Sequence, residues 1–194
     1  MTDQRSKITG VVLAGGRARR MGGEDKGLMH YQGRPLVSYS LDALRQVSDI
    51  ILINANRNLE DYAHFGYRVI TDLNDNFDGP LAGLLSAMRS AQTQYVLTVP
   101  CDCPCIDGLL LGRLYDNLLA EQAEICTATD GERLHPVFLM ADCRLADDLA
   151  AYLASGQRKM QTWLKSTKLA LADYSDCPEL FVNINTIEEL TKME

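Results

Sequence analysis

The segment Leu13-Ala-Gly-Gly-Arg-Ala-Arg-Arg-Met-Gly-Gly-Glu-Asp-Lys-Gly27 follows an apolar run and combines glycines at 15, 16, 22 and 23 with Arg17, Arg19, Arg20 and Lys26. Glycine tolerates positive φ and lets backbone N–H groups approach an anion without interference from a Cβ. Arginine can grip two phosphate oxygens at once, and lysine adds a point charge. With only Glu24 and Asp25 opposing them, these cations form a positive island on a chain of net charge −7. Such an island suits a small anion better than a polymer. Two known phosphate loops are excluded. Gly27 rather than Ser or Thr follows Lys26, so the Walker A pattern fails, and the glycine spacing does not give G-x-G-x-x-G.

A second set of polar residues closes the apolar runs further along. Asn54 ends DIILIN, Asp72 follows YRVIT, and Asp102 follows YVLTVP. A carboxylate facing a phosphate loop would repel the phosphate unless a hard divalent cation stood between them, and Mg²⁺ takes such oxygen ligands. Glycine loop, cations and Asp102 together point to a nucleoside triphosphate bound with Mg²⁺. Loop capping competes with a ligand role for Asp72, and turn chemistry competes for Asn54.

The elements that must position these residues alternate in period. Ile8–Ala14, Asp49–Asn54, Tyr67–Thr71 and Tyr95–Pro100 read as buried strands, and Pro35–Gln46 and Pro80–Ala91 as helices. That alternation predicts an α/β fold, a Rossmann-like, doubly wound, mostly parallel sheet. In such sheets ligands bind beyond the carboxyl ends of the strands, where all four polar sites would collect. Farther on, a helix is expected over Asp107–Ala120, then extended chain at Ala123–Ala128 and His135–Met140, a hairpin turned at Asp130-Gly131. Helical segments follow around 142–154 and 157–166. Phe181–Asn185 (FVNIN) reads as a short strand, and Thr186–Glu189 as a capping box opening a last helix.

A length of 194 residues with 46% hydrophobic and 23% charged composition suits one domain spanning 1–194. The acidic balance argues against nucleic-acid or anionic-membrane surfaces. Without a signal-peptide pattern or a long apolar span, a cytoplasmic protein is expected. Of the six cysteines, only Cys101, Cys103 and Cys105 cluster, and their C-x-C-x-C spacing lacks the C-x₂-C pairs of zinc sites. Reduced, partly buried thiols are expected. Tyr39, Met88 and Trp163 read as packing residues.

The 13–27 segment resembles the L-A-G-G-x₃-R-M-G-x₃-K signature of the nucleotidyltransferases that activate sugars, polyols and pterins. Within that group the chain is similar, nearly end to end, to the molybdenum cofactor guanylyltransferase (MobA) family. Asn54–Arg57, Asp78–Gly83, Pro100–Pro104, His135-Pro136, Gly156–Arg158 and Val182–Thr186 follow in that family's order. The resemblance implies a nucleotide-diphospho-sugar transferase-like fold and transfer of GMP from Mg-GTP to molybdopterin, with release of pyrophosphate. It places Leu13, Ala14, Gly15, Gly16, Lys26, Asn54, Asp72 and Asp102 on GTP, with Asp102 also holding Mg²⁺. It places His135, Arg158, Asn183 and Asn185 on the pterin side or at the metal site. Cys103, Cys105 and the Lys159-Met160 pair depart from many relatives. Gly15-Gly16 and Gly79–Gly83 look like the guanine-using type, whereas cytosine-using relatives tend to read L-A-A-G. A monomer is expected, in contact with accessory proteins of cofactor assembly or with acceptor molybdoenzymes.

The chemistry needs little beyond charge management. A phosphate monoester has a second pKa of about 6 and attacks as a dianion, so no general base is required. Asp102, Lys26 and Arg20 would then carry catalysis by positioning and neutralisation. Arg17 and Arg19 fit a solvated face equally well, and His135 fits a structural role equally well. Two other readings stand beside this one. The first is a CTP- or other NTP-dependent transferase acting on molybdopterin or a sugar phosphate. The second is a nucleotide-binding regulator, which would not need a metal-holding carboxylate opposite its phosphate loop.

Overall fold

The computed structural model describes residues 2–15, 25–73 and 79–184. Helix α1 (Thr2–Arg5) leads into β1 (Ile8–Leu13). A two-residue ladder, β2 (His30–Tyr31) with β3 (Arg34–Pro35), precedes α2 (Leu36–Val47) and β4 (Ile50–Asn54). Then come α3 (Leu59–Ala63), β5 (Arg68–Ile70), α4 (Pro80–Ser90) and β6 (Tyr95–Pro100). The remainder is α5 (Gly108–Ala120), β7 (Ile125–Thr129), β8 (Leu134–Asp142), α6 (Ala146–Ala154), α7 (Met160–Leu164) and β9 (Leu169–Asp173).

Seven strands form one sheet in the order β5-β4-β1-β6-β8-β7-β9. All neighbours run parallel except β8, which is antiparallel to both β6 and β7. From β1 the chain moves outward through β4 to β5, then returns to place β6 on the other side of β1. The space beyond the carboxyl end of β1 is therefore a topological switch point, where open α/β sheets bind ligands.

Strand periodicity divides the core between two layers. Val12, Ile53, Leu97 and Val99 face α2 and α5, with Leu41, Leu44, Leu111 and Leu114 packed over them. Val11, Leu52 and Val96 face the opposite layer, with Leu81, Leu84, Leu149 and Trp163. With both faces covered, β1 and β6 must be apolar almost throughout, and their buried runs show it. Trp163 is fully buried and its indole N–H donates to Asp148 at 2.8 Å.

The expected strands and helices through residue 154 are present with ends shifted by a few residues. In the next helical segment, α7 spans only Met160–Leu164. The predicted hairpin is β7–β8, with a register shift between Thr127 and Ala128. Strand β9 had no sequence prediction, nor had α3 or the β2–β3 ladder. The FVNIN strand is corrected. A 3₁₀ turn spans Pro178–Phe181, and irregular chain follows through Ile184. Burial recurs there at Phe181 and Ile184 rather than at alternate residues, and the Ile184 N–H donates to the Asp102 carbonyl instead of to a strand neighbour. The capping box at 186–189 lies outside the described residues. Among the described residues no helix is long and apolar enough to cross a membrane.

Candidate active site

Strand register assembles the site. Leu13 pairs with Asn54 on one side and with Pro100 on the other, and Asn54 pairs with Ile70. One row across the carboxyl edge thus fixes Asn54 and, one or two residues beyond it, Ala14, Gly15, Asp72 and Asp102. The turn after β6 is tied down by the Ser40 hydroxyl, which donates to the Pro100 carbonyl at 2.7 Å.

Two clusters form on this edge. In the first, Asn54 is buried and donates through Nδ2 to Asp72 Oδ1 at 3.0 Å. Asn56 donates to Asp72 Oδ2 at 2.8 Å and accepts from the Asp72 backbone N–H at 2.9 Å. The two side-chain bonds share the carboxylate between two amides, and Asn56 was not among the predicted site residues. Asn54 and Asn56 are two apart, so extended chain turns both toward one side; that spacing was the available signal.

Gly83, on α4, closes over the cluster. A Cβ there would stand 2.5 Å from Asn54 Oδ1 and 2.9 Å from Leu13 Cδ2. Gly83→Ala is expected to displace Asn54 at a cost of about 1–3 kcal/mol, as overpacking does. Calorimetric unfolding should show a lowered Tm, and an unchanged Tm with intact nucleotide binding would refute this contact.

In the second cluster Lys26 Nζ lies 3.0 Å from Asp102 Oδ2, with side-chain exposures of 26% and 13%. Asp102 Oδ1 lies beside the Cys103 thiol, which donates to Asn183 Oδ1 at 2.9 Å. With the Ile184–Asp102 backbone bond, this ties the 183–184 segment to the site. Asn183 is therefore brought close to Asp102.

His135 and Arg158 are placed differently. His135 Nε2 lies 2.7 Å from Asp130 Oδ2, and its ring stacks on Phe181 with centroids 3.9 Å apart. It thereby braces the base of the segment that carries Asn183. Arg158 is exposed in the connection between α6 and α7, and donates to the carbonyls of Leu153, near the end of α6, and of Gln157 beside it. Gly16, Arg17, Arg19, Arg20 and Asn185 lie outside the described residues.

All six cysteines are free. Burial, with Asp102 nearby, pushes the Cys101 and Cys103 thiols far above the usual range. Burial alone pushes Cys126 up to about 12. These groups are neutral thiols at pH 7, unsuited to nucleophilic attack. Iodoacetamide at pH 8 should modify exposed Cys105 first, and Cys101, Cys103 and Cys126 only on unfolding. Mass spectrometry that found Cys103 labelled as fast as Cys105 would contradict this picture.

The switch-point edge and the antiparallel β8 inserted among parallel strands give the chain a nucleotide-diphospho-sugar transferase-like fold. Molybdopterin-guanine dinucleotide biosynthesis protein A from Archaeoglobus fulgidus has this fold, with a TM-score of 0.80 over 96% of both chains at 20% identity. Residues 10–173 match the model of the MobA-like NTP transferase domain. The molybdenum cofactor guanylyltransferase of Shewanella sediminis is 45% identical over 183 residues, covering 94% of this chain and 93% of that protein. Its counterpart from Shewanella baltica is 43% identical over 188 residues, covering 97% and 96%. The chain belongs to the MobA-like NTP transferase family, and its activity is nucleotidyl transfer.

Proposed function

We propose that this chain transfers GMP from GTP to molybdopterin. The observation that carries the reading is the Lys26–Asp102 pair at 3.0 Å on the switch-point edge. Relatives sharing more than two-fifths of its sequence bear the name guanylyltransferase. An oxygen of the terminal phosphate of molybdopterin attacks the α-phosphorus of GTP. The new P–O bond forms as the α–β bridge breaks, and pyrophosphate leaves. The attacking dianion needs no base, in keeping with neutral thiols and a His135 already engaged by Asp130.

The donor set fits Mg²⁺. Among the described residues no group of three or more His, Cys, Asp or Glu could hold a metal. Mg²⁺ retains waters and binds through one or two carboxylates plus substrate phosphates, so Asp102 alone suffices for a cation that arrives with the triphosphate. Bound there, it would neutralise phosphate charge. Lys26, which balances Asp102 in the free protein, would turn to the phosphate oxygens once that carboxylate is engaged. Leu13, Ala14, Gly15, Gly16, Asn54 and Asp72 would line the nucleotide, and Arg20 would oppose the pyrophosphate charge. Asn183, Asn185, Arg158 and the His135-braced segment would face the pterin. The reading is of a cytoplasmic monomer, one domain acting on two small molecules.

Incubation of α-labelled GTP with purified molybdopterin and Mg²⁺ should move the label into a dinucleotide with stoichiometric pyrophosphate. ATP, CTP and UTP should be poor donors. Preference for CTP, or transfer to a sugar phosphate instead, would overturn the reading. So would tight GTP binding without pyrophosphate release.

A further inference from the structure

Lys26 stands on a single 3₁₀ turn, Lys26–Leu28, which at three residues has little stability of its own. Its direction must be set from outside. Asp25, the residue before it, is only 7% exposed, and its carboxylate accepts the Gly27 N–H at 3.3 Å as a helix cap. The same oxygen accepts the hydroxyl of Tyr62 at 2.5 Å. Tyr62 is fully buried on α3, in a separate part of the chain beyond β4. Burial, with Cys101 and Asp25 beside it, holds its phenol far above the usual range, so the hydroxyl is a permanent donor.

The turn is also confined from the other side. A Cβ on Gly27 would stand 2.5 Å from Tyr62 Oη and 3.3 Å from Cys101 Cβ. Only glycine fits between that hydroxyl and the residue preceding Asp102. The turn is thus clamped between α3 and the Asp102 strand end, and Lys26 leaves it to meet Asp102 at 3.0 Å.

We infer that Tyr62, acting through Asp25, is a positioning residue that aims the Lys26 ammonium at the reacting phosphates. This rests on the proposed role of Lys26 in nucleotidyl transfer. A lysine side chain has four rotatable bonds, so a loosened turn spreads the ammonium over many positions. An aimed turn keeps it within reach of Asp102 and, by exchange, of phosphate.

A double-mutant cycle tests the assignment, because residues acting through one another give non-additive effects. Tyr62→Phe should lower kcat/KM for GTP about tenfold when Lys26 is present and less than twofold in a Lys26→Ala background. Equal factors in both backgrounds would reduce Tyr62 to a packing residue. Asp25→Ala should reproduce the loss without hollowing the tyrosine pocket, and Asp25→Asn, which keeps the acceptor oxygen, should recover most of it. A recovery absent in Asp25→Asn would also overturn the inference. Nitrogen NMR of the Lys26 ammonium provides a readout that needs no turnover. The wild type should give an ordered, hydrogen-bonded signal, and folded Tyr62→Phe should broaden or lose it. An unchanged signal defeats the positioning role whatever the activity. A changed signal in a protein that does not turn over GTP retains the positioning role and defeats the proposed reaction.

Discussion

Replacement of Asp102 by alanine is expected to lower kcat by about 10³-fold while Tm stays near that of the wild type. Removing a single electrostatic stabiliser from a preorganised site costs about 10²–10³ in rate. Asp102 is the carboxylate that would both balance Lys26 and hold the cation, so the upper end of that range applies. The fold should tolerate the change, because the structural bond of this residue is made by its backbone. Its carbonyl accepts the Ile184 N–H, and alanine keeps that carbonyl. The Lys26 ammonium, whose side chain is 26% exposed, can turn to water. Asp102→Asn separates charge from shape, and it should be nearly as slow as the alanine variant. Near-wild-type turnover in either, measured as pyrophosphate release, would remove Asp102 from the metal site.

Lys26→Ala should reduce kcat/KM for GTP by about 10²-fold, equivalent to about 2.7 kcal/mol of transition-state stabilisation. Both terms should move, with KM rising and kcat falling. A cation on the triphosphate contributes to ground-state binding and then more strongly as charge develops on the leaving pyrophosphate. Lys26→Arg should recover only part of the loss. Its planar guanidinium is wider than the ammonium, while the clamped 3₁₀ turn fixes where the side chain begins. Steady-state kinetics decide the matter, and unchanged kcat and KM would place Lys26 outside the site.

The site was legible to different depths in the sequence. Asn54, Asp72 and Asp102 were expected on one edge because each closes an apolar run, and the strand register puts them there. Parallel strands send all such ends to one edge, so the row joining Leu13, Asn54, Ile70 and Pro100 needed only the alternation of periods. The partners within the site were not legible. Lys26 and Asp102 are 76 residues apart, and nothing local to either signals their pairing. Asn56, Asp25 and Tyr62 have residue types that fit turns and cores as readily as a site, so only their contacts distinguish them.

The second half of the chain shows the same division. Leu169–Asp173 (LALAD) has weak strand propensity and becomes β9 because β7 offers a parallel ladder over its whole length. FVNIN has the alternation of a strand, yet Phe181 is held among His135, Phe138 and Tyr174, and the chain beyond it bonds to the Asp102 loop. The sequence by itself determined the layered α/β architecture and the gathering of its polar strand ends on one edge, where an anionic ligand is expected. Those follow from periodicity, glycine placement and charge, which act within a few residues. Tertiary structure alone decided which amides hold Asp72, which carboxylate faces Lys26 and how Tyr62 reaches that lysine's turn. Hydrogen bonds and ion pairs act over about 3 Å, and only folding brings groups so distant in sequence within that range.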